Sequence, residues 1–323
     1  MLTIRPFEAT PTDYETITVI HNAVWPDDIY TVEEWKSDDE KRDAKYFFQR
    51  VMAELDGQLV AFADYLEPSW SYVAGKYYIT YNVHPDHDGS GVDQSLYDHI
   101  MSALAECEPA PSKIMTHMRE DKTRELDFLK GHGFKIVMRE PISRLDVPAF
   151  DSAKFAHAAE KVRQRGIKIY TIRELEQLEP EWKPKLWELE WQVRQDIPSP
   201  DPRTQRPFEQ FAKNFKGPNY DPEAWFVALD NGECVGYSSF YVTPATKEKL
   251  YTRITGVARS HRRMGLATAL KVRAIEFAQQ YGAQQIETDN EENNPMYQLN
   301  LMLGFKPAPG WLTLEKKIFK MSS

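Results

Sequence analysis

Cysteine is scarce in this chain: only Cys107 and Cys234 occur in 323 residues, one in each half. Two distant cysteines exclude a disulfide framework and a thiolate metal quartet, and they suit a reducing, cytoplasmic setting. No run of about 18 apolar residues occurs, so neither a transmembrane helix nor a membrane partner is expected. The opening stretch MLTIRPFEATPTDYE lacks the basic and apolar regions of a secretion signal. Basic charge is also short, since 40 Lys and Arg face 49 Asp and Glu for a formal net charge of -9. Such a chain is a poor match for a phosphate backbone, so no nucleic-acid partner is expected. Two glycine signatures of nucleotide sites, G-x-x-x-x-G-K-[ST] and G-x-G-x-x-G, are missing. What is present is an ordinary soluble composition, 41% hydrophobic and 28% charged, at a length that favours two domains.

The chain repeats itself. VMAELDGQLVAFADY reads as strand, tight turn at Asp56-Gly57, strand; FVALDNGECVGYSSFYV reads the same way around Asn231-Gly232. A further β-rich run follows each, KYYITYNV to Val83 and KLYTRITGV to Val257, 26 residues after Gly57 and 25 after Gly232. Each half then offers a glycine turn, a long helix, a short strand and a second helix that closes on Gly-Phe, at Gly133-Phe134 and Gly304-Phe305. A period this long signals duplicated domains of mixed α/β type rather than a solenoid. The expected boundaries are 1–148 for the first domain, 149–166 for a polar helical linker ending at Gly166, and 167–323 for the second.

One stretch concentrates the missing basic charge. TGVARSHRRMGLATALKVRAIEFAQQYG runs from a β-branched strand into three arginines and a histidine between 259 and 263, then Gly265, then unbroken helix. Leu266, Leu270, Ala274, Phe277, Ala278 and Tyr281 give that helix one apolar face. Its first turn carries free N–H groups and the positive end of the dipole, and Gly265 lets a phosphate approach the backbone. Arg262 and Arg263 add fixed charge, so the turn reads as a pyrophosphate cradle. An ordinary helix start with solvated arginines has the same residues.

RRMGLA, from Arg262 to Ala267, resembles the R/Q-x-x-G-x-G/A signature of the GNAT superfamily, the N-acetyltransferases that use acetyl-CoA. The order of elements around it is also similar, although the family's preceding V-x-P is Val257-Ala258-Arg259 here. The likeness covers nearly the whole chain as two tandem GNAT-like domains, an α/β (α+β mixed sheet) fold, and resembles two-domain proteins of the mycothiol-synthase type. It implies that the N–H groups over Arg263, Met264, Gly265, Leu266, Ala267 and Thr268 hold a pyrophosphate beside Arg262. It implies that Thr255, Gly256 and Val257 pair with the pantetheine arm, one of their amides polarising the acetyl carbonyl. It also implies that Asn290 and Asn294 contact the pantetheine amides; a turn and a helix N-cap describe the two asparagines equally simply.

The first half carries VHPDHDGSGVDQSLYDHI at the same place. It keeps Val83, Pro85 and Gly91, but Asp88 replaces the signature's Arg or Gln and Asp93 its Gly or Ala. A carboxylate about 4 Å from a phosphate costs up to roughly 4 kcal/mol at an effective dielectric near 20, so this half is expected to be a degenerate copy that binds acetyl-CoA weakly or not at all. His84, His87 and Asp88 lack further ligands nearby, so a surface loop is preferred to a metal site and no metal is expected.

Transfer to an amine needs a neutral nucleophile, a route for its proton and a donor for the leaving thiolate. Where many GNAT enzymes place a tyrosine donor, four residues before the Gly-Phe, this chain has Asn300. Tyr297, one turn earlier, is the substitute donor, either directly or through a water beside Asn300; packing is its other role. No glutamate in KLYTRITGV offers itself as a base. Trp187, Trp191 and Asp196 are candidates for an acceptor pocket, with Asp196 meeting a cationic amine, although core packing suits the tryptophans and plain solvation suits the aspartate. The expected activity is acetyl transfer from acetyl-CoA to a primary amine on a small molecule, by direct attack in a ternary complex. The alternative is a non-catalytic acyl-CoA sensor.

Overall fold

The computed structural model describes residues 1–318, which divide into two compact units: Met1–Met138 together with the chain from Leu312, and Arg139–Trp311. The first unit opens with β1 (Leu2–Pro6), α1 (Pro11–Val24), α2 (Val32–Lys41), β2 (Phe48–Leu55) and β3 (Gln58–Leu66). It continues through β4 (Lys76–Val83), α3 (Val92–Ala105), β5 (Lys113–Arg119), α4 (Thr123–Gly131) and the start of β6 (Lys135–Asp146). The turn at Asp56-Gly57 has φ of 52° and 87°, the left-handed pair that a two-residue hairpin demands. β1 to β4 pair antiparallel in order, and β4 pairs parallel to β5 over Lys76↔Lys113, Tyr77↔Ile114 and Tyr78↔Met115. Ile79, Leu96, Ile100 and Leu314 sit in its buried core.

The second unit takes the rest of β6, then α5 (Ala156–Arg163), β7 (Lys168–Thr171), α6 (Ile172–Leu178), α7 (Trp182–Gln195) and α8 (Phe208–Ala212). β8 (Trp225–Asp230), β9 (Glu233–Tyr241), β10 (Lys249–Val257), α9 (Leu266–Tyr281), β11 (Gln285–Asp289), α10 (Pro295–Met302) and the start of β12 (Lys306–Lys317), up to Trp311, complete it. β7 to β10 pair antiparallel in order, β10 pairs parallel to β11, and β6 lies antiparallel on β11 over five residues from Ile142 to Asp146. α9 packs its apolar face on β8, β9 and β10, with Leu270, Ala274 and Ile275 buried. α7 packs against β9 and β10 as well.

The division differs from the expected 1–148 and 167–323, because each unit borrows a strand from the other half of the sequence. β12 from Leu312 onward follows β5 in the sheet of the first unit, where Leu314 is fully buried. β6 from Arg139 onward caps β11 in the second. Residues 149–166 are no free linker either. Phe150, Ala158 and Val162 are buried in the second unit, and Gln279 of α9 donates from Nε2 to the carbonyls of Val147 and Phe150 at 3.1 and 2.9 Å. Among the described residues no helix is long and apolar enough to cross a membrane.

Candidate functional site

In the second unit β10 and β11 pair for only three residues, ending at Tyr251↔Glu287, yet β10 runs on to Val257 and β11 to Asp289. The strands therefore part, and a cleft of about 610 Å³ lies in the fork. Thr255, Gly256 and Val257 line it from β10; Arg262, Arg263, Gly265, Leu266, Ala267 and Thr268 line it from the glycine turn. Asn290 and Asn294 close the β11 side. Of the residues expected to meet a cofactor, Met264 alone does not border this space.

The turn is shaped for an anion. Arg263 and Gly265 both hold left-handed backbone, φ 62° and 85°, and the first bond inside the turn runs from the Ala269 N–H to the Gly265 carbonyl at 3.0 Å. The N–H groups of the first helical turn precede any intrahelical acceptor and face the cleft end of the dipole. A left-handed arginine costs on the order of 1 kcal/mol, the kind of strain that gathers at functional sites. At the matching position the first unit has Gly89, φ 75°, which holds the same backbone without that cost. This cradle, with basic side chains at its mouth and an αL glycine at its centre, fits a pyrophosphate.

Asp196 ends α7 and its carboxylate is taken by Arg259, whose Nε lies 3.0 and 3.1 Å from its two oxygens, and by Arg262. The Arg259 hydrogen bond, then Arg262, holds its carboxyl down at about 2. The expectation that Asp196 awaits a cationic acceptor is thus corrected: it is ion-paired to the exposed Arg259 and to Arg262, of which Arg262 borders the cleft. Trp187 lies outside the cleft, its Nε1 donating to the Arg206 carbonyl at 2.8 Å and its ring edge-on to Phe208. Trp191 does not border the cleft. Neither tryptophan therefore borders the cleft that the expected cofactor residues line.

The two residues expected to serve the thiolate also lie outside the cleft. Asn300 is fully buried and donates from Nδ2 to Oδ1 of Asn290 at 2.6 Å, so it braces the end of β11. Asn294 caps α10, accepting from the Met296 N–H at 2.9 Å. Among the titratable groups that border the cleft without having been singled out by sequence, two have shifted pKa values that matter here. Asp289 ends β11, is exposed and borders the cleft, and desolvation there raises its carboxyl pKa. Lys271 lies at 3% exposure on the buried side of α9, its Nζ 5.4 Å from the Phe305 ring centre, and desolvation lowers its ammonium to about 7. Lys271 falls one residue after Leu270 on an otherwise apolar face, which was its sequence signal.

In the first unit the corresponding turn is closed by its own side chains. Arg124 of α4 binds both Asp88 and Asp93, the latter at 2.7 Å. The hydroxyl of Tyr78, the last residue of β4 that pairs with β5, bonds to Nδ1 of the half-buried His117. Burial lowers that histidine to about 4, so it is neutral at pH 7. Among the described residues no three His, Cys, Asp or Glu side chains are grouped to hold a metal ion.

Comparison with known proteins agrees with this fold. The acetyltransferase (GNAT) family model matches residues 183–305, and an acetyltransferase (GNAT) domain model matches residues 12–141. Among solved structures, the tandem GNAT protein from the clavulanic acid biosynthesis pathway is similar over 100% of both chains, with a TM-score of 0.74 at 16% identity. A GCN5-related N-acetyltransferase from Sphaerobacter thermophilus matches 98% of this chain and 95% of its own, with a TM-score of 0.67 at 20% identity. The N-myristoyltransferase of Saccharomyces cerevisiae, solved with bound myristoyl-CoA, matches 98% of this chain and 79% of its own, with a TM-score of 0.62 at 13% identity. No curated protein sequence matches the chain. With a family domain in each half, a matching tandem fold and the basic glycine turn at the mouth of a forked sheet, the chain belongs to the GNAT acetyltransferase family as a tandem two-domain member.

Proposed function

We propose that the second unit binds acetyl-CoA in the β10/β11 fork and transfers its acetyl group to a primary amine of a small molecule, in the cytoplasm, without an acyl-enzyme. The observation that carries this reading is the convergence of the forked strands and the αL glycine turn on one cleft. The turn amides and Arg262 would hold the pyrophosphate, and the free edge of β10 from Thr255 to Val257 would pair with the pantetheine arm.

Transfer makes a C–N bond and breaks the thioester C–S bond, and the proton lost by nitrogen ends on sulfur. Two of the titratable groups that line the fork suit that traffic. Asp289, with its raised pKa, is the residue to accept the amine proton; Lys271, poised near neutrality, is the residue to supply one. Direct attack is favoured because Cys234 does not border the cleft and burial raises its thiol, so no thiolate nucleophile is at hand.

Calorimetric titration with acetyl-CoA tests the reading. One site per chain, lost in Arg262→Glu, is the expected result. Two sites would mean that the closed turn of the first unit opens to the ligand, and no binding would end the proposal. Release of free CoA thiol in the presence of amines separates an enzyme from an acyl-CoA sensor, which would bind and never release it.

A further inference from the structure

The wall of the cleft on the α7 side is built from arginine. Arg194 of α7, Arg203 of the segment after it and Arg253 of β10 all border the cleft, and Arg206 stands behind them. One carboxylate touches this group: Oε1 of the buried Glu190 accepts from Nε of Arg194 at 2.9 Å and from Arg206 at 2.7 Å. Arg253 bonds the neutral Oδ1 of Asn214 at 3.1 Å and lies over the rings of Tyr241 and Trp225, 4.2 and 4.9 Å from their centres. Among the described residues, Arg203 bonds only the backbone carbonyls of Ile197 and Pro198, at 3.4 and 3.2 Å.

Four guanidiniums therefore share one ion-paired carboxylate among the described residues. Burial, with like charge from Arg194, lowers Arg203, and burial with like charge from Arg194 and Arg253 lowers Arg206. Glu140, across the cleft, offsets part of the charge on Arg203. The hydroxyl of Tyr237, 2% exposed, sits among these charges with no hydrogen-bond partner. A guanidinium is always charged at physiological pH, so the surplus is not relieved by losing a proton. It calls for an anion from outside.

The backbone points the same way. β10 is bulged between Thr252 and Ile254. Gly256 faces Val193 of α7, so in a regular strand Arg253, three residues away, would face α9 instead. The bulge turns it onto the α7 side, which is the re-aiming that bulges perform beside functional sites. The pyrophosphate cradle lies elsewhere, at Arg262 to Thr268.

We infer that Arg194, Arg203 and Arg253 form an oxyanion site for the acceptor, so that the amine substrate carries a carboxylate or a phosphate. This rests on the acetyl-CoA reading of the fork, which assigns the cradle to the cofactor and leaves the arginine wall to the acceptor. Planar guanidiniums bind either oxyanion through paired N–H bonds.

Glutarate and inorganic phosphate are titrated by calorimetry into the protein saturated with CoA, so that the cradle is occupied. At least one anion is expected to bind, and at least tenfold more weakly to Arg203→Gln and Arg253→Gln, each checked by its melting temperature. Thiol release from acetyl-CoA then compares β-alanine with β-alaninamide and O-phosphoethanolamine with ethanolamine. The anionic member of one pair is expected to lead by tenfold or more in kcat/KM, and which pair does so separates carboxylate from phosphate. No binding by either anion, binding unchanged in both variants, or equal turnover of charged and neutral amines would each overturn the site. Failure of acetyl-CoA itself to bind would instead strike the cofactor reading. The anion titration on the free protein would then still judge the arginines by the same variants.

Discussion

A Cβ placed on Gly256 of β10 would lie 2.2 and 2.7 Å from the two γ-carbons of Val193 on α7. Strand and helix are thus in contact at the strand segment that borders the cleft. Gly256→Ala should destabilise the protein by about 1–3 kcal/mol, the usual cost of overpacking, and should weaken acetyl-CoA binding by displacing β10. Val193→Ala in the same chain should restore much of both, since it removes the two clashing methyl groups. Thermal melts and calorimetry on the single and double variants decide the matter; additive losses would show that the glycine serves something other than this contact.

Asn300 and Asn290 give a second test, of bracing against chemistry. Asn300→Ala removes the 2.6 Å bond and leaves a cavity, so a loss of about 1–3 kcal/mol is expected. Asn300→Leu fills the space and also deletes the buried Oδ1, which has no partner, so it should cost less. Turnover should stay within a few-fold in both. A hundredfold fall in kcat with an unchanged melting temperature would give Asn300 a chemical role instead.

Lys271 makes stability depend on pH. Its ammonium is lowered by burial from 10.5 to about 7, so between those values the unfolded chain holds a proton that the folded one has released. Stability must then rise with pH across that window, by up to about 1.4 kcal/mol per pH unit from this group. Lys271→Met should be more stable than the parent at pH 6, with the gap narrowing towards pH 10. Denaturant melts at pH 6, 8 and 10 check this; parallel curves would show that the ammonium is solvated in the fold.

The repeated elements, the hairpin turns and the glycine turn before α9 were legible because each is set by residues adjacent in sequence. Asp56-Gly57 and Asn231-Gly232 need only their own backbone, and Arg262 to Thr268 form one turn of chain. The exchange of β6 and β12 was not legible, since a strand's own pattern does not say which sheet accepts it. Asp196 was misread for the same reason, its partners lying 63 and 66 residues away at Arg259 and Arg262. The arginine wall joins α7, the segment after it and β10, and Arg253 reaches it through a bulge that strand alternation cannot anticipate. Tyr297 seemed eligible because helical spacing set it beside Asn300, but neither side chain borders the cleft.

Asp289 and Tyr297 are rival candidates for handling the proton. Asp289 ends β11 inside the fork and the protein raises its carboxyl pKa, whereas Tyr297 lies outside the cleft with Asn294, Met296 and Leu299 of its own turn bordering it instead. A general base contributes about 100-fold or more, so Asp289→Asn should lower kcat by roughly that factor while acetyl-CoA affinity holds within a few-fold. Its raised pKa places the loss of the base form on the acid side: wild-type kcat should fall as pH drops through the carboxyl's titration, and Asp289→Asn should lack that limb. Tyr297→Phe should leave kcat within twofold. Stopped assays of thiol release across pH 5–9 read all three chains together. An unchanged Asp289→Asn beside an inactive Tyr297→Phe would return the proton to the tyrosine and require α10 to move when ligand binds.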